Sequence, residues 1–257
     1  MNSSSPDFCF CTLALGEKYR LLTKQLATDL ATYSPGTPLI VGTDKPQDFN
    51  NHPNVITFKH RQKGILLCYY DRRFVIEAAL AKFRAAIVID ADTRIVANIP
   101  THINWLPGIT AGHRENLIEH VKTYTPERLK PLSRVASKLD LPLEEITYIG
   151  ESLYIIARDE GKEKEYLKQL GKIGNYLELN GVHGGDGNAM GLAAAKVGWT
   201  VNNDGWQSLK AATKHLDASY QPSQESLGDK LKLKLGYHYR LNKARLAALQ
   251  DFNFYYR

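Results

Sequence analysis

The sequence predicts an α/β protein built around a largely parallel β-sheet. Short runs of branched apolar residues have the length of buried strands, and longer stretches between them repeat their apolar residues every three or four positions. Turns rich in Gly, Pro and Asn separate the two kinds of segment. The order strand, helix, strand, strand, helix, strand within the first 95 residues is typical of a parallel sheet covered by helices.

The first half of the chain alternates between the two patterns. FCFCTLAL (8–15) reads as a buried strand, and residues 17–33 read as a helix because Leu22, Leu26 and Leu30 fall on one face. The other predicted elements of this half are a strand over 38–44, a strand over 55–60, a helix over 68–83 and a strand over 85–89.

The second half is less regular. Residues 108–114 predict a short strand and 115–140 a polar helix, while 145–157 predict one or two strands interrupted at Gly150. The remaining predicted elements are a helix over 162–173, a glycine-rich turn opening a helix over 183–199, and a basic helical segment in the last 50 residues.

Composition favours a globular protein of a reducing compartment, so we expect a cytoplasmic location. Hydrophobic residues make up 43% of the chain, yet no apolar run approaches the roughly 20 residues that span a bilayer. The first residues lack the pattern of a secretory signal. Three cysteines form no disulfide framework, and Cys9 and Cys11 are expected to be core thiols rather than a metal pair.

Positive charge is concentrated at the C-terminal end. The net charge is +6, and residues 206–257 contain nine Lys and Arg against four Asp and Glu. This excess predicts either an anionic partner, such as a phosphorylated ligand or a peripheral membrane contact, or simply a solvated basic helix. No nucleic-acid-binding motif is present, and no nucleic-acid partner is expected.

The strand over 85–89 runs directly into two carboxylates, Asp90 and Asp92. Residues two apart in an extended chain point to the same side, and like charges held together need a cation to offset their repulsion. Mg²⁺ and Mn²⁺ take oxygen ligands and bridge to substrate phosphates, so the motif predicts a metal site. In the alternative, Asp90 caps a turn and Asp92 pairs with Arg94.

IDAD, residues 89–92, resembles the Asp-x-Asp motif of glycosyltransferases with the GT-A fold, and its place after a nucleotide-binding α/β half is similar. CTLALGEKYRLLTKQLATDL and LIVGTD resemble the first strand, first helix and second strand of that family. YYDRRFVIEAALAKF resembles the helix that precedes the motif. The resemblance covers roughly residues 8–200.

The resemblance implies a GT-A, Rossmann-like fold: a mostly parallel central sheet flanked by helices, a small second sheet and the basic C-terminal helical segment. It implies one domain over 1–257, with 8–95 as the nucleotide-binding half, 96–205 as the sugar and acceptor half and 206–257 as the basic segment. The implied activity is a metal-dependent, hexosyltransferase-like transfer of sugar from a nucleoside-diphosphate sugar, with a UDP-sugar expected. The acceptor would be a hydroxyl of a saccharide or a lipid-linked molecule, and the cofactor Mn²⁺ or Mg²⁺.

The resemblance also implies site residues. Asp90, Asp92 and a C-terminal His238 would hold the metal, and Glu151 and Asp186 are the catalytic candidates. The residues expected to contact the donor are Thr12, Leu13, Ala14, Asp44, Arg72, Arg73, Asp90, Ala91, Asp92 and Lys234. Simpler structural explanations compete: His238 as an exposed residue on a basic helix, Glu151 as a solvated edge-strand residue, and Asp186 as a helix N-cap.

Two other functions remain open at the level of sequence. IDADTRI and GGDGNAMGLAAAKVG resemble motifs of haloacid dehalogenase-type phosphatases, in which Asp90 would be the nucleophile. In that family, however, the nucleophile lies on the first strand, and the later motif has a second acidic residue where this chain has Ala189. A non-catalytic module that binds an anionic surface through the basic segment is the third possibility.

Overall fold

The structure, a computed structural model, describes residues 7–100, 103, 105–218 and 227–257. Its strands are β1 (Phe8–Ala14), β2 (Leu39–Thr43), β3 (Val55–Lys59), β4 (Ala85–Ile89), β5 (Thr93–Ile95), β6 (Gly108–Ala111), β7 (Arg114–Asn116), β8 (Thr147–Ile149), β9 (Leu153–Ala157), β10 (Val201–Asn202) and β11 (Thr213–His215). Its helices are α1 (Glu17–Tyr33), α2 (Arg72–Leu80), α3 (Leu117–Tyr124), α4 (Leu129–Lys138), α5 (Lys162–Leu179), α6 (Asp186–Lys196), α7 (Trp206–Ala211), α8 (Leu227–Ala248) and α9 (Phe252–Tyr256).

A seven-stranded sheet in the order β10-β6-β9-β4-β1-β2-β3 forms the centre of the molecule. Every neighbouring pair is parallel except the two that involve β9, which runs antiparallel to β4 and β6. Two small antiparallel sheets, β5–β11 and β7–β8, lie outside it. The predicted fold class is therefore confirmed, including the second small sheet and the C-terminal helix.

The inner strands of the central sheet, and β6 beside them, are buried on both faces, which explains why they read as continuous apolar runs. Alternate residues of β1 belong to opposite cores: Phe8 and Phe10 pack with α1, whereas Cys9 and Cys11 pack with α2, α5 and α6. The two cysteines are free and buried, as expected of core thiols. The parallel pairing of β1 with β2 and with β4 places the carboxyl ends of these three strands along one edge.

Two predicted elements are divided in the structure. The polar helix expected over 115–140 begins as β7 and continues as two helices, because Asn116 caps α3 by accepting from the N–H groups of Ile118 and Glu119. The run 145–157 forms β8 and β9, which belong to different sheets and separate at Gly150. Within the described part of the chain no helix is long and apolar enough to cross a membrane, and the peripheral membrane contact stays a prediction.

Helix α6 packs unusually close to β8 through two glycines one turn apart. A Cβ at Gly187 would lie 2.1 Å from the carbonyl oxygen of Ile149, and a Cβ at Gly191 would lie 2.0 Å from that of Thr147. Backbone atoms cannot yield as a flexible side chain does, so only glycine permits this approach. The contact sets the position of the first turn of α6 and of Asp186 within it.

Replacing Gly191 by alanine is expected to destabilise the protein despite the higher helix propensity of alanine. Overpacking against a backbone oxygen costs about 1 to 3 kcal/mol, which exceeds the gain of about 1 kcal/mol from propensity. Urea unfolding measures the difference. Gly184→Ala is the control, because its nearest new contact would be an ordinary 3.7 Å; an equal loss in both variants would contradict the close approach.

Glu178 of α5 anchors the segment that precedes α2. Its Oε1 accepts a hydrogen bond from the N–H of Ile65 at 2.7 Å. Burial raises the pKa of Glu178 from 4.5 to about 7, because the charged form loses its hydration. The folded protein therefore binds this proton more tightly than the unfolded chain does.

The free energy of unfolding should consequently fall as the pH rises from about 4.5 to about 7, since the unfolded chain releases the proton first. In Glu178→Gln this fall should shrink by on the order of 2 kcal/mol, because glutamine keeps the acceptor oxygen and carries no titrating group. Denaturant unfolding at pH 4.5, 6 and 8 tests this, with the exposed Glu127→Gln as control. Parallel pH profiles for wild type and Glu178→Gln would exclude the effect.

Candidate functional site

Asp90 and Asp92 lie at the carboxyl end of β4, near the middle of the central sheet. The N–H of Asp90 donates to the carbonyl of Ser152, and the N–H of Thr93 donates to the carbonyl of Asp90. This turn carries the chain directly into β5. In an open α/β sheet, ligands bind at the carboxyl ends of the strands, so the carboxylates stand where a ligand site is expected.

The β5–β11 pairing brings an imidazole to these carboxylates. His215 lies opposite Thr93 in the antiparallel register, and one ligand atom each of Asp90, Asp92 and His215 fall within 4.8 Å of one another. Two carboxylates and an imidazole form a mixed oxygen and nitrogen donor set, which suits Mn²⁺ and accommodates Mg²⁺. The donor set therefore fits the metal that the sequence implied, and His215 would be the third ligand.

A hydrogen bond to Asp92 and carboxylates beside His215 restrict the orientation of this group. Asp92 is buried, and its Oδ2 accepts from the N–H of Ala218 at 2.8 Å. The His215 ring has Nδ1 3.7 Å from Asp92 Oδ1 and Nε2 3.2 Å from Asp217 Oδ1. Partners of this kind orient metal-ligating side chains.

The alternative pairing of Asp92 with Arg94 is wrong. The Arg94 guanidinium binds Asp29 of α1 instead, at 2.5 and 2.9 Å. Asp92 is thus left to face His215 and Asp90, and the metal interpretation of the motif gains support from the structure.

Arg72 connects the Asp-x-Asp motif to the second candidate region. The guanidinium donates to Asp90 Oδ1 and, at 2.7 Å, to the backbone carbonyl of Glu151, and it lies 3.6 Å from Asp186 Oδ2. Burial alone would lower the pKa of Arg72, but the carboxylates of Asp90 and Asp186 raise it well above its ordinary value. Arg72 therefore stays charged in a buried position between two acids.

Burial also shifts the pKa values of Asp90 and Asp186. Burial raises the pKa of Asp90, Arg72 opposes this shift, and Asp92 adds to it. Burial likewise raises the pKa of Asp186 well above its usual range, against the opposing charge of Arg72 and with a further increase from Glu151. The ionised forms of these acids are therefore only partly stabilised by Arg72, and a further cation would stabilise them.

Asp186 is the first residue of α6 and is buried. It does not cap the helix, because Gly185 occupies the N-cap position, and its Oδ1 has no hydrogen-bond partner among the described residues. Buried polar oxygens are rarely left unpaired, so this atom is available to a ligand. The N-cap explanation for Asp186 is therefore wrong.

Glu151 is half-buried and reaches the same turn. Its Oε1 accepts from the N–H of Gly187 at 3.1 Å and from the Tyr148 hydroxyl at 3.5 Å. The solvated edge-strand explanation does not hold, since the carboxylate bonds to the first turn of α6. The β8–β9 connection and the start of α6 together place Glu151, Asp186 and Arg72 in one cluster.

Other predicted donor contacts lie at the neighbouring strand ends. Thr12, Leu13 and Ala14 close β1, which pairs with both β4 and β2. Asp44 follows β2, where it pairs with Arg20 at 2.8 Å and accepts from the N–H of Gly16 at 3.3 Å. Ala91 is buried between the two motif acids.

Three predicted residues are placed elsewhere. The Arg73 guanidinium lies 4.1 Å from the centre of the Phe74 ring, and a Cβ on Gly171 would touch it, so it faces α5 rather than Asp90. His238 and Lys234 are exposed on α8, and His238 is not part of the cluster that His215 completes. Consecutive residues of a helix point in different directions, which explains why Arg72 contacts Asp90 and Arg73 does not.

His215 is the residue that sequence reasoning missed. It lies in the short segment TKH, which matches no motif, and only its pairing with β5 places it beside Asp92. Tyr19 is also near: burial raises its pKa, and the charges of Asp92 and Asp90 raise it further. For His215, the one signal in the sequence was that a histidine lies in the basic segment 206–257.

Comparison with known proteins supports the fold. No protein-family model matches the sequence, and no curated protein does. Among solved structures 200 chains match. One is the apo structure of WbbM, described as a bifunctional glycosyltransferase, with a TM-score of 0.50 and 13% sequence identity over 79% of this chain.

The matched region is 39% of the WbbM chain, so this protein spans about two fifths of that length. At 13% identity the similarity shows the fold alone. Together with the sheet order, it shows a GT-A-like α/β fold with an Asp-x-Asp motif at the end of β4.

His215→Ala is expected to weaken Mn²⁺ binding at least about tenfold, the lower end of what loss of a partner that only supports a ligand costs. His238→Ala should leave it unchanged, because that side chain is exposed on α8. Isothermal titration calorimetry with MnCl₂ measures both affinities. If Mn²⁺ affinity falls in His238→Ala and is unchanged in His215→Ala, the ligand set expected from the sequence, with His238, is the correct one.

Proposed function

We propose that the protein is a metal-dependent glycosyltransferase that moves a sugar from a nucleoside-diphosphate sugar, with UDP-sugar as donor, to an acceptor hydroxyl. One observation carries the proposal. The Asp90, Asp92 and His215 cluster lies at the carboxyl end of β4 in a GT-A-like fold, and Arg72 links it to the buried Asp186.

The strand ends beside β4 support placement of the nucleotide. The backbone of Thr12 to Ala14 and the carboxylate of Asp44 lie at the ends of β1 and β2, where base and ribose would be held. We assign residues 8–95 to nucleotide binding and 96–205 to sugar and acceptor binding. The segment 206–257 is not merely a basic tail in this proposal, because His215 belongs to it.

Asp90, Asp92 and His215 would hold Mn²⁺ or Mg²⁺, whose charge, when the ion is bound, stabilises the departing diphosphate. Arg72 contributes a second positive charge that stays fixed by Asp90 and the Glu151 carbonyl. Charges that are oriented before the reaction stabilise a developing anion without reorganisation. The carboxylates around Arg72 keep it in place when no donor is bound.

Asp186 and Glu151 are proposed to contact the sugar or the acceptor hydroxyl. The free Oδ1 of Asp186 is a hydrogen-bond acceptor inside a buried cluster, and Glu151 fixes the turn that carries it. If Asp186 removes the proton of the acceptor hydroxyl, the anomeric configuration is inverted; if it only binds the sugar, retention is expected. The configuration of the product, read by NMR, distinguishes these two roles.

A thermal-shift screen against UDP, GDP, ADP and CMP, with and without Mn²⁺, tests the function. We expect one nucleoside diphosphate to raise Tm by about 5 °C at saturating concentration, and only with Mn²⁺. Asp92→Asn should abolish the shift, whereas the exposed Asp204→Asn should retain it. No shift with any nucleotide, together with phosphate release from simple phosphoesters, would instead favour a phosphatase with Asp90 as nucleophile.

A further inference from the structure

We propose that the protein has a second ligand site, a basic cleft that binds a phosphate group and is separate from the Asp90 cluster. Two adjoining cavities of about 860 and 710 Å³ lie where α8 crosses α2 and α5. Together they are called the basic cleft, and they share Gln62, Lys63, Glu77, Tyr239, Arg240 and Lys243. Volumes of this size are typical of small-molecule sites.

The basic cleft has a surplus of positive charge. Seven of its cationic side chains form no ion pair with a carboxylate in the described part of the chain: Lys59, Arg61, Lys63, Arg73, Lys164, Arg240 and Lys243. They come from β3 and the segment after it, from α2, from α5 and from α8. Cations that are distant in the sequence thus lie together around the basic cleft.

The carboxylates at the cleft are largely engaged elsewhere. Asp71 binds the His60 ring at 3.0 Å and the N–H of Lys63 at 2.7 Å, and Glu178 accepts from Ile65. Asp251 pairs with Lys172 at 2.7 Å. The side chain of Glu77 is the one lining carboxylate without a hydrogen bond or ion pair among the described residues. Its charge acts on Arg73, but one free carboxylate offsets the repulsion between the unpaired cations only in part.

Some of these cations are held in fixed positions. Lys63 Nζ lies 3.8 Å from the centre of the Phe74 ring, and the guanidinium carbon of Arg73 lies 4.1 Å from the same centre. The Nε of Arg240 donates to the carbonyl of Ile65 at 3.1 Å. Side chains that already have protein partners lose less conformational entropy when a ligand binds. Such preorganisation favours a binding site over a solvated surface.

Phosphate is the ligand chemistry that this arrangement fits. Lys and Arg supply several donors and positive charges, and both bind phosphate oxygens strongly. The aromatic rings of Phe58, Phe74 and Tyr239 add apolar surface beside the charges. None of Asp90, Asp92, Asp186 and His215 lines the cleft, so the inference does not rest on the proposed function.

The test uses the full chain and inorganic pyrophosphate in isothermal titration calorimetry with EDTA present, so that no metal at Asp90 and Asp92 can bind the diphosphate. Lys59→Glu/Lys243→Glu should weaken pyrophosphate binding at least about tenfold, because two attractive charges become repulsive. Lys232→Glu/Lys234→Glu is the matched control: it changes net charge equally on exposed residues of α8 that do not line the cleft. Unaltered Tm values in both variants confirm folding.

Co-sedimentation with phosphatidylglycerol vesicles, compared with phosphatidylcholine alone, separates the two sources of phosphate. Selective loss of pyrophosphate binding in the cleft variant supports a soluble phosphorylated ligand. If pyrophosphate does not bind but phosphatidylglycerol binding shows the same selective loss, the cleft takes a lipid headgroup. Equal weakening by the cleft and control variants, or no binding to either probe, overturns the inference.

Discussion

The buried guanidinium of Arg72 is the interaction on which the candidate site depends. It joins the end of β4, the β8–β9 connection and the first turn of α6 through Asp90, the carbonyl of Glu151 and Asp186. Removing one partner of such a buried network leaves uncompensated charge and costs about 3 to 5 kcal/mol. The arrangement is therefore both structural support for the site and a fixed positive charge within it.

This network also explains why the acids can be concentrated here at all. Asp92 and Asp186 are buried and Asp90 is partly buried, and burial opposes the ionised forms of Asp90 and Asp186. One arginine cannot neutralise the acids gathered around it. The imbalance is a property of the fold, and it makes the carboxyl end of β4 a place where a divalent ion would lower the electrostatic energy.

The sequence was sufficient for much of the fold because local patterns determine it. Strands buried on both faces gave unmistakable apolar runs, and Asp90 and Asp92 were evident at the end of one of them. Contacts that depend on how distant strands pair could not be predicted from the sequence. His215 reaches Asp92 only through the β5–β11 pairing, and the choice of Arg72 over Arg73 follows from the rotation of α2 against α5. The clustering of cations from β3, α2, α5 and α8 into one cleft is equally a product of tertiary packing.

The β5–β11 ribbon has a consequence for dissecting the chain into fragments. Residues that hold Asp92 in place, His215 and Ala218, are separated from it by more than 120 positions. A fragment ending at residue 205 would keep all seven strands of the central sheet and both acids of the motif. It would nevertheless lack the imidazole of His215 and the amide that orients Asp92. The shortest piece that retains both must extend to at least residue 218.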